Sequence, residues 1–596
     1  MAFTTLVAAA LAAASFCNAT PVGRPGHLSV RSPADPKITI DFKEASAPSR
    51  LTHICETTPG VKSYSGYVNL PASAAEGRAY DVHTFFWGGP GAPSVVAALN
   101  ENGPCTIAPN SRDTVLNPWS WNNEVNMLYI DQPVQTGFSY DKLINGTINE
   151  PANPFLVTPT KPGEQAKVNA TTLAGVFPSQ EQVSTANTTG TAAHAAWQFM
   201  QTWMSEFPHY KPKTNKFSIW TESYGGHYGP SFAAYFDKQN TLLASKKISN
   251  AIPLSLDTLG LVNTCIDAEV QIPFYPETAY NNTYGLQIIN ETAYKAAVAS
   301  WPKCQQMIHQ CRNLAAQKDP ENLGISKEVN DACALTFKSC FDTVHKPYNV
   351  NLHNPFDFTA PSIGFFPPKY AAGYLNSKKV QQALGVPLNF TGLAAGVSQV
   401  FDKTGDFIVG NSIASLGHLL DKGVKVAMMY GDRDYQCNWR GGEAVSLNIS
   451  SKYTADFRKA GYTDIHTGKN ETGGMVRQFG NLSFSRVYNA GHEVPAYQPE
   501  TAYRIFMRAM SNKDVATGTK STKGGCKKPY GTTGPADISG VKNKLPAPHK
   551  AECYFWDILE TCMPDQKQII QSGKAIFKDF VMKGYTAANG TAVYYS

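Results

Sequence analysis

Residues 217–236 read as a strand, a serine turn and a helix in immediate succession. Phe217-Ser218-Ile219-Trp220 has the apolar character of a short buried strand. Pro230 to Phe236 places Phe232, Ala233, Tyr235 and Phe236 on a helix. Between them, Thr221-Glu222-Ser223-Tyr224-Gly225-Gly226 supplies a serine followed by residues small enough for a strained turn. In that geometry the Ser223 hydroxyl projects clear of the backbone, and the Tyr224 N–H is left facing any oxyanion that forms there. The first position of the pattern is usually glycine and is Thr221 here. Ser-x-Gly turns also occur in ordinary loops, so a catalytic reading depends on partners elsewhere in the chain.

At 596 residues the chain can bury a large core, and an α/β enzyme can fold most of that length as one unit with insertions. Residues 1–19 are apolar and small and end in Cys17-Asn18-Ala19, which predicts a cleaved secretory signal peptide. The run is too short and alanine-rich for a membrane anchor, and no other stretch approaches a span. Asn-x-Ser/Thr acceptors at Asn145, Asn169, Asn187, Asn281, Asn290, Asn389, Asn448, Asn470, Asn481 and Asn589 agree with export. The net charge of +6 is scattered without an aromatic-interleaved basic stripe, which argues against nucleic acid as a partner. Of the 12 cysteines, Cys17 leaves with the signal peptide; the odd remainder predicts one free or intermolecular thiol. Cys304 and Cys311 mirror the spacing of Cys333 and Cys340, which suits two nested bridges better than a metal site. Neither a metal nor a cofactor is expected.

Residues 20–50, rich in Pro, Ser and charge, read as a loose leader or pro-segment. Strands are predicted at 63–70, at 83–87 running into Gly88-Gly89-Pro90-Gly91, and at 126–131. The glycine turn lacks the Lys-Ser/Thr of a phosphate loop, and in an esterase-like fold it is the natural source of a second oxyanion N–H. A helix is expected over 190–207, with Ala193, Ala196, Phe199, Met200 and Trp203 on its core face, and further strands at 252–262, 424–430 and 484–488. Residues 264–400 lose the strand–helix rhythm and read as an inserted cap. A helix over 499–510 closes a catalytic domain of 51–511. Residues 512–596 form an extension with an amphipathic stretch around 569–580.

In chain order Ser223, an acid after the 424–430 strand and His492 after the 484–488 strand follow the nucleophile–acid–base succession of α/β hydrolases, each at a strand end. His492 would take the serine proton, and Asp434 would orient and stabilise the imidazolium. Asp432, two residues away, competes for the acid role on local pattern alone.

With these residues the chain resembles the secreted fungal serine carboxypeptidases, which are α/β hydrolases. The resemblance spans roughly residues 50–510. It is carried by Gly88-Gly89-Pro90-Gly91, Asn100-Glu101-Asn102-Gly103-Pro104, Asp131-Gln132-Pro133, Glu222-Ser223-Tyr224-Gly225-Gly226, Gly431-Asp432-Arg433-Asp434 and Gly491-His492-Glu493-Val494-Pro495. It implies a mixed, mostly parallel sheet with helices on both faces and release of C-terminal residues from peptides at acidic pH. The acid becomes Asp434, and the oxyanion N–H groups those of Gly89 and Tyr224. Glu101 and Glu222 become the acids that bind the substrate's terminal carboxylate, and Glu493 a lining of the pocket for its side chain. Cys437 becomes the thiol beside the active site, accounting for the odd cysteine, and the nested bridges become Cys304–Cys340 and Cys311–Cys333. Secretion is implied, with the vacuole as the alternative destination.

One departure stands out. The family's aromatic strand is followed by a turn and a return strand that carries a carboxylate-binding asparagine; here Trp87 is joined directly to Gly88. A misplaced splice junction or a true deletion accounts for it. Two competing readings follow: an acyltransferase or esterase on the same scaffold, and a secreted glycoprotein whose site the missing segment has inactivated.

Overall fold

A computed structural model of the chain describes residues 27–595, apart from 33–34, 46–53, 56–61, 74–76, 88–93, 151–152, 162, 213, 349–351, 364–365, 369, 393, 411, 469–470, 524–528 and 548–551. The expected signal peptide, Gly89 and the Asn470 acceptor lie outside the described residues.

Two sheets form the frame. The first comprises β1 (Leu28–Arg31), β2 (Thr39–Glu44), β3 (Tyr64–Leu70), β4 (Val82–Trp87) and β5 (Tyr129–Ile130), in that spatial order and antiparallel throughout. The second comprises β6 (Lys216–Ser223), β7 (Ser255–Thr264), β8 (Lys425–Gly431), β9 (Thr463–His466), β10 (Thr472–Phe479) and β11 (Leu482–Val487). Its order is β6-β7-β8-β11-β10-β9. β6, β7, β8 and β11 run parallel, and β10 and β9 add an antiparallel edge, so the sheet that carries the site is mostly parallel, as expected. Every residue of β8 is buried, as a strand covered on both faces must be. The principal helices are α1 (Ser94–Asn100), α2 (Thr189–Glu206), α3 (Gly225–Ala244), α4 (Glu291–Lys318), α5 (Lys327–Cys340) and α6 (Pro499–Met510).

Among the described residues no ladder joins β5 to β6. Between these two edges lies a cavity of about 1640 Å³, lined by Leu128 and Ile130 on one side, Ile219 and Trp220 on the other, and Phe199 and Trp203 of α2. The indole N–H groups of Trp203 and Trp220 are buried without partners there. β6 is buried only in part over Phe217–Ile219, whereas β7 and β8 beside it are nearly sealed. The expected 126–131 strand shrinks to Tyr129–Ile130, because it has a ladder partner on one side only. The gap lies beside β5, whose Tyr129 pairs on its other side with Trp87 at the end of β4.

Other segments also depart from the sequence reading. Residues 28–31 and 39–44, read as part of a loose leader, are strands, because Ile40 and Phe42 alternate onto the core face. The helix after the serine starts at Gly225 and runs to Ala244, longer than 230–236. The 569–580 stretch is not one amphipathic element: a helix ends at Gln571, and Ala575–Lys578 forms a strand of a small three-stranded sheet. In the inserted region α4 and α5 are stapled by Cys304–Cys340 and Cys311–Cys333. No helix among the described residues is long and apolar enough to cross a membrane.

Candidate active site

Ser223 is the last residue of β6 and adopts φ 58°, a left-handed conformation that a serine enters only when its surroundings impose it. The imposing contacts are close. A Cβ on Gly225 would meet the Thr221 side chain at 2.4 Å, and one on Gly226 the Cys265 carbonyl oxygen at 2.2 Å. Only glycine lets α3 begin so near β7. Thr221, the departure from the usual first glycine, is 4% exposed, and its hydroxyl donates to the Gly225 carbonyl at 2.9 Å. It ties the strand to the helix across the turn.

Asp434 follows β8 and His492 follows β11, and both are buried. His492 Nδ1 lies 2.7 Å from Asp434 Oδ2, which also accepts from Asn263 Nδ2 at 2.8 Å and the Cys437 N–H at 3.2 Å. A carboxylate with this many donors is fixed in place beside the imidazole. The His492 ring packs against Phe356, and the His492 backbone N–H donates to the Phe356 carbonyl at 2.8 Å. Asp432 faces elsewhere: its carboxylate pairs with the buried Arg486 at 3.1 Å and accepts from Tyr284 Oη at 2.7 Å. The structure thus brings Asp434, and not Asp432, to the histidine.

Ser223, His492, Glu101, Glu222 and Glu493 line one cleft of about 590 Å³. Burial pushes the Glu101 carboxyl up to about 7, and the hydrogen bond from Glu222 only partly offsets it. Glu222 is pushed well above the ordinary carboxyl range by burial, then by the charges of Glu101 and Glu493. The two carboxyls hydrogen-bond to each other, so they hold a proton between them at acid pH. Tyr224, the residue after the serine, is anchored by its hydroxyl donating to Asp406 Oδ2 at 2.6 Å. That carboxylate also accepts from the Thr189 N–H at 2.9 Å and Asn322 Nδ2 at 2.6 Å.

The reading of Cys437 as a free thiol is corrected. Its sulfur is bonded to Cys265, so the strand end next to the serine is tied to the loop that carries Asp434. The acid-bearing loop passes close enough to β7 for the pair to form, which local sequence cannot reveal. Asp434, Cys437 and His492 form a group with metal-ligand spacing, but the sulfur is consumed by this bridge and only two donors remain. Asn263 and Asp406 were not singled out from the sequence. The signal for Asn263 is a buried polar residue at a strand end in Leu261-Val262-Asn263; Asp406 has none. Among the glycosylation acceptors, Asn145, Asn169, Asn281, Asn290, Asn448 and Asn589 are exposed, and Asn187, Asn389 and Asn481 are half-buried.

A family profile described as serine carboxypeptidase matches residues 55–512. Carboxypeptidase S1 homolog B of Arthroderma otae is 42% identical over 94% of this chain and 90% of its own length. Carboxypeptidase S1 homolog A of Arthroderma benhamiae is 40% identical over 94% and 89%. A carboxypeptidase Y homolog of the same organism is 38% identical over 94% and 92%. Among solved structures, a prohormone-processing carboxypeptidase from Saccharomyces cerevisiae is similar in fold, with a TM-score of 0.52 and 19% identity, covering 80% of this chain and 92% of the other.

Proposed function

The chain belongs to the serine carboxypeptidase family, and from that premise we propose how the residues of its cleft divide the work of a serine-type carboxypeptidase. Ser223 Oγ attacks the carbonyl carbon of the last peptide bond while its proton passes to His492 Nε2. Asp434 accepts from Nδ1–H and stabilises the imidazolium as it forms. The oxyanion is held by the Tyr224 N–H and by the Gly89 N–H. Collapse of the tetrahedral intermediate breaks the C–N bond, and His492 returns the proton to the departing amine. Water, activated by the same histidine, then hydrolyses the acyl-serine.

Glu101 and Glu222 recognise the terminal carboxylate. While the pair retains a proton, one O–H donates to the substrate carboxylate. Once it is lost, anions face each other and binding weakens. Glu493 lines the pocket for the last side chain. The observation that supports this reading is the pair of hydrogen-bonded carboxyls in the cleft that also holds Ser223 and His492. Secretion, with the vacuole as the alternative destination, and glycan attachment at the exposed acceptors complete the proposal, supported by five disulfides among the described cysteines.

The test is amino-acid release from a blocked dipeptide, free acid against C-terminal amide, from acid to neutral pH. Release from the free acid that weakens as pH rises through about 7 is the expected result. Equal release from acid and amide would remove the carboxylate-binding role. Release from neither, in a folded preparation, would remove the assignment of the catalytic residues.

A further inference from the structure

Among the described residues the Tyr224 N–H makes no hydrogen bond, whereas the Tyr224 carbonyl accepts from the His227 N–H at 2.9 Å and is committed to α3. The direction of that N–H is set by the planar peptide unit it shares with the Ser223 carbonyl, since the two groups point opposite ways in one plane. Two tethers hold the plane. At one end the Ser223 carbonyl accepts from the Cys265 N–H, beyond β7, at 3.0 Å. At the other the Tyr224 hydroxyl donates to Asp406 Oδ2 at 2.6 Å.

The second tether is only as stiff as Asp406, and Asp406 is held from all sides. It is 1% exposed. Its carboxylate accepts from the Thr189 N–H at 2.9 Å and from the Thr189 hydroxyl, both at the start of α2, and from Asn322 Nδ2, in the turn after α4, at 2.6 Å. Its backbone is clamped on both flanks. Gly405 has φ 64°, and a Cβ there would meet the Cys333 carbonyl carbon at 2.3 Å. Cys333 is itself bridged to Cys311 of α4. Beyond Asp406, the Ile408 carbonyl accepts from Arg312 Nε, also on α4, at 2.9 Å, and the same guanidinium pairs with Asp267 at 3.1 Å. Burial, then the charge of Asp406, pushes the Tyr224 hydroxyl well above its ordinary range, so it stays a donor wherever carboxyls titrate.

We propose that Asp406 is a positioning residue for the oxyanion hole: through the Tyr224 hydroxyl it fixes the 223–224 peptide plane and passes to it the stiffness of the bridged α4–α5 pair. This rests on the carboxypeptidase reading of the cleft. The substrate oxygen gains its charge only in the tetrahedral intermediate, so a loosened plane costs transition-state stabilisation and spares ground-state binding.

The test measures kcat and KM for the blocked dipeptide, and the rate of fluorophosphonate labelling of Ser223, in Tyr224→Phe, Asp406→Asn and the double variant. Thermal unfolding is followed in each. Tyr224→Phe removes the hydroxyl alone and leaves Asp406 its donors from Thr189 and Asn322. The expected result is a fall in kcat and in labelling rate of about tenfold or more in each single variant, with KM changed by less than about threefold. The double variant should lose little beyond the worse single one, because both substitutions break one contact. Additive losses in kcat would overturn the proposal, since Asp406 would then act independently of Tyr224. A lower unfolding midpoint with kcat unchanged, or a raised KM at constant kcat, would overturn it too. Each of these leaves the carboxypeptidase reading intact. If Asp406→Asn does not fold, Tyr224→Phe decides alone by the same split between kcat and KM. A folded parent chain that neither cleaves the dipeptide nor is labelled would remove the catalytic reading, and this proposal with it.

Discussion

Inserting an extended apolar segment between Trp87 and Gly88 should raise the stability of this chain far more than a surface insertion can. The cavity between β5 and β6 measures about 1640 Å³. The cavity opens to solvent, so its volume does not convert into a cost as a dry void would. Three or four apolar side chains of an inserted strand, buried there at ~1.5–3 kcal/mol each, would contribute on the order of 5–10 kcal/mol before the entropy of ordering the segment, comparable with the ~5–15 kcal/mol net stability of a folded domain. A strand of about seven residues spans ~23 Å and would give both sheet edges their missing partner, uniting β1–β5 with β6–β11. The assay is urea unfolding of the 596-residue chain against a variant carrying such a strand and a turn at that junction. The expected outcome is a higher midpoint, a steeper single transition and stronger release from the blocked dipeptide. An unchanged midpoint would refute the reasoning. Sequencing the transcript across codons 86–88 shows independently whether the cell already makes the longer form.

Ser223→Ala should abolish fluorophosphonate labelling and turnover, and Asp434→Asn should lower kcat by about 10⁴-fold with little change in KM, checked by steady-state kinetics. Glu101→Gln should flatten the fall in kcat/KM near pH about 7, because an amide donates to the substrate carboxylate whether or not protons are scarce. Glu101 and Asp131, both pushed up to about 7 by burial, and Glu150, at about 8, bind protons more tightly folded than unfolded. The stability they contribute is full below the unfolded carboxyl range and is lost as pH rises through 7 to 8. Thermal unfolding should therefore come at a higher temperature at mildly acid pH than at pH about 8. Native protein should yield no maleimide adduct at Cys437, and Cys437→Ser should cost about 5 kcal/mol, because the bridge closes a separation of 172 residues.

Much of the site was legible because it is written locally. The strand–serine–helix run, the glycines at 225 and 226 and the two residues at later strand ends each carry their chemistry in a few neighbouring positions. The mirrored cysteines of α4 and α5 are equally local, since a helical hairpin with matched spacing brings Cys304 to Cys340 and Cys311 to Cys333. What the sequence hid depends on distant segments meeting. Cys437 finds Cys265 across 172 residues, and Tyr224 finds Asp406 across 182. Trp556 and Asp557 reach the cleft from a tail whose composition gives no sign of a docking surface. The strands at 28–31 and 39–44 were obscured for another reason. Their alternation is short and lies among prolines, and only the ladder with β3 makes it count.

The two aspartates after β8 show how position within a turn, rather than residue type, assigns chemistry. Asp432 and Asp434 are both fully buried and both make several hydrogen bonds. Asp432 is matched by a permanent cation. Arg486 lies on β11, and its remaining donors are taken by the Ile538 and Val541 carbonyls of the extension at 2.8 and 3.0 Å. That pair is complete, and it locks β8, β11 and the extension together. Asp434 instead meets neutral donors and the ring of His492, so a positive charge arises beside it only when the histidine takes a proton. An acid already neutralised by arginine would gain little from an imidazolium, whereas one held by amides gains the full interaction at the moment of proton transfer. The extension therefore bears on both acids: directly, by fixing Arg486 on Asp432, and indirectly, by leaving Asp434 as the one free to stabilise the charge that the reaction creates.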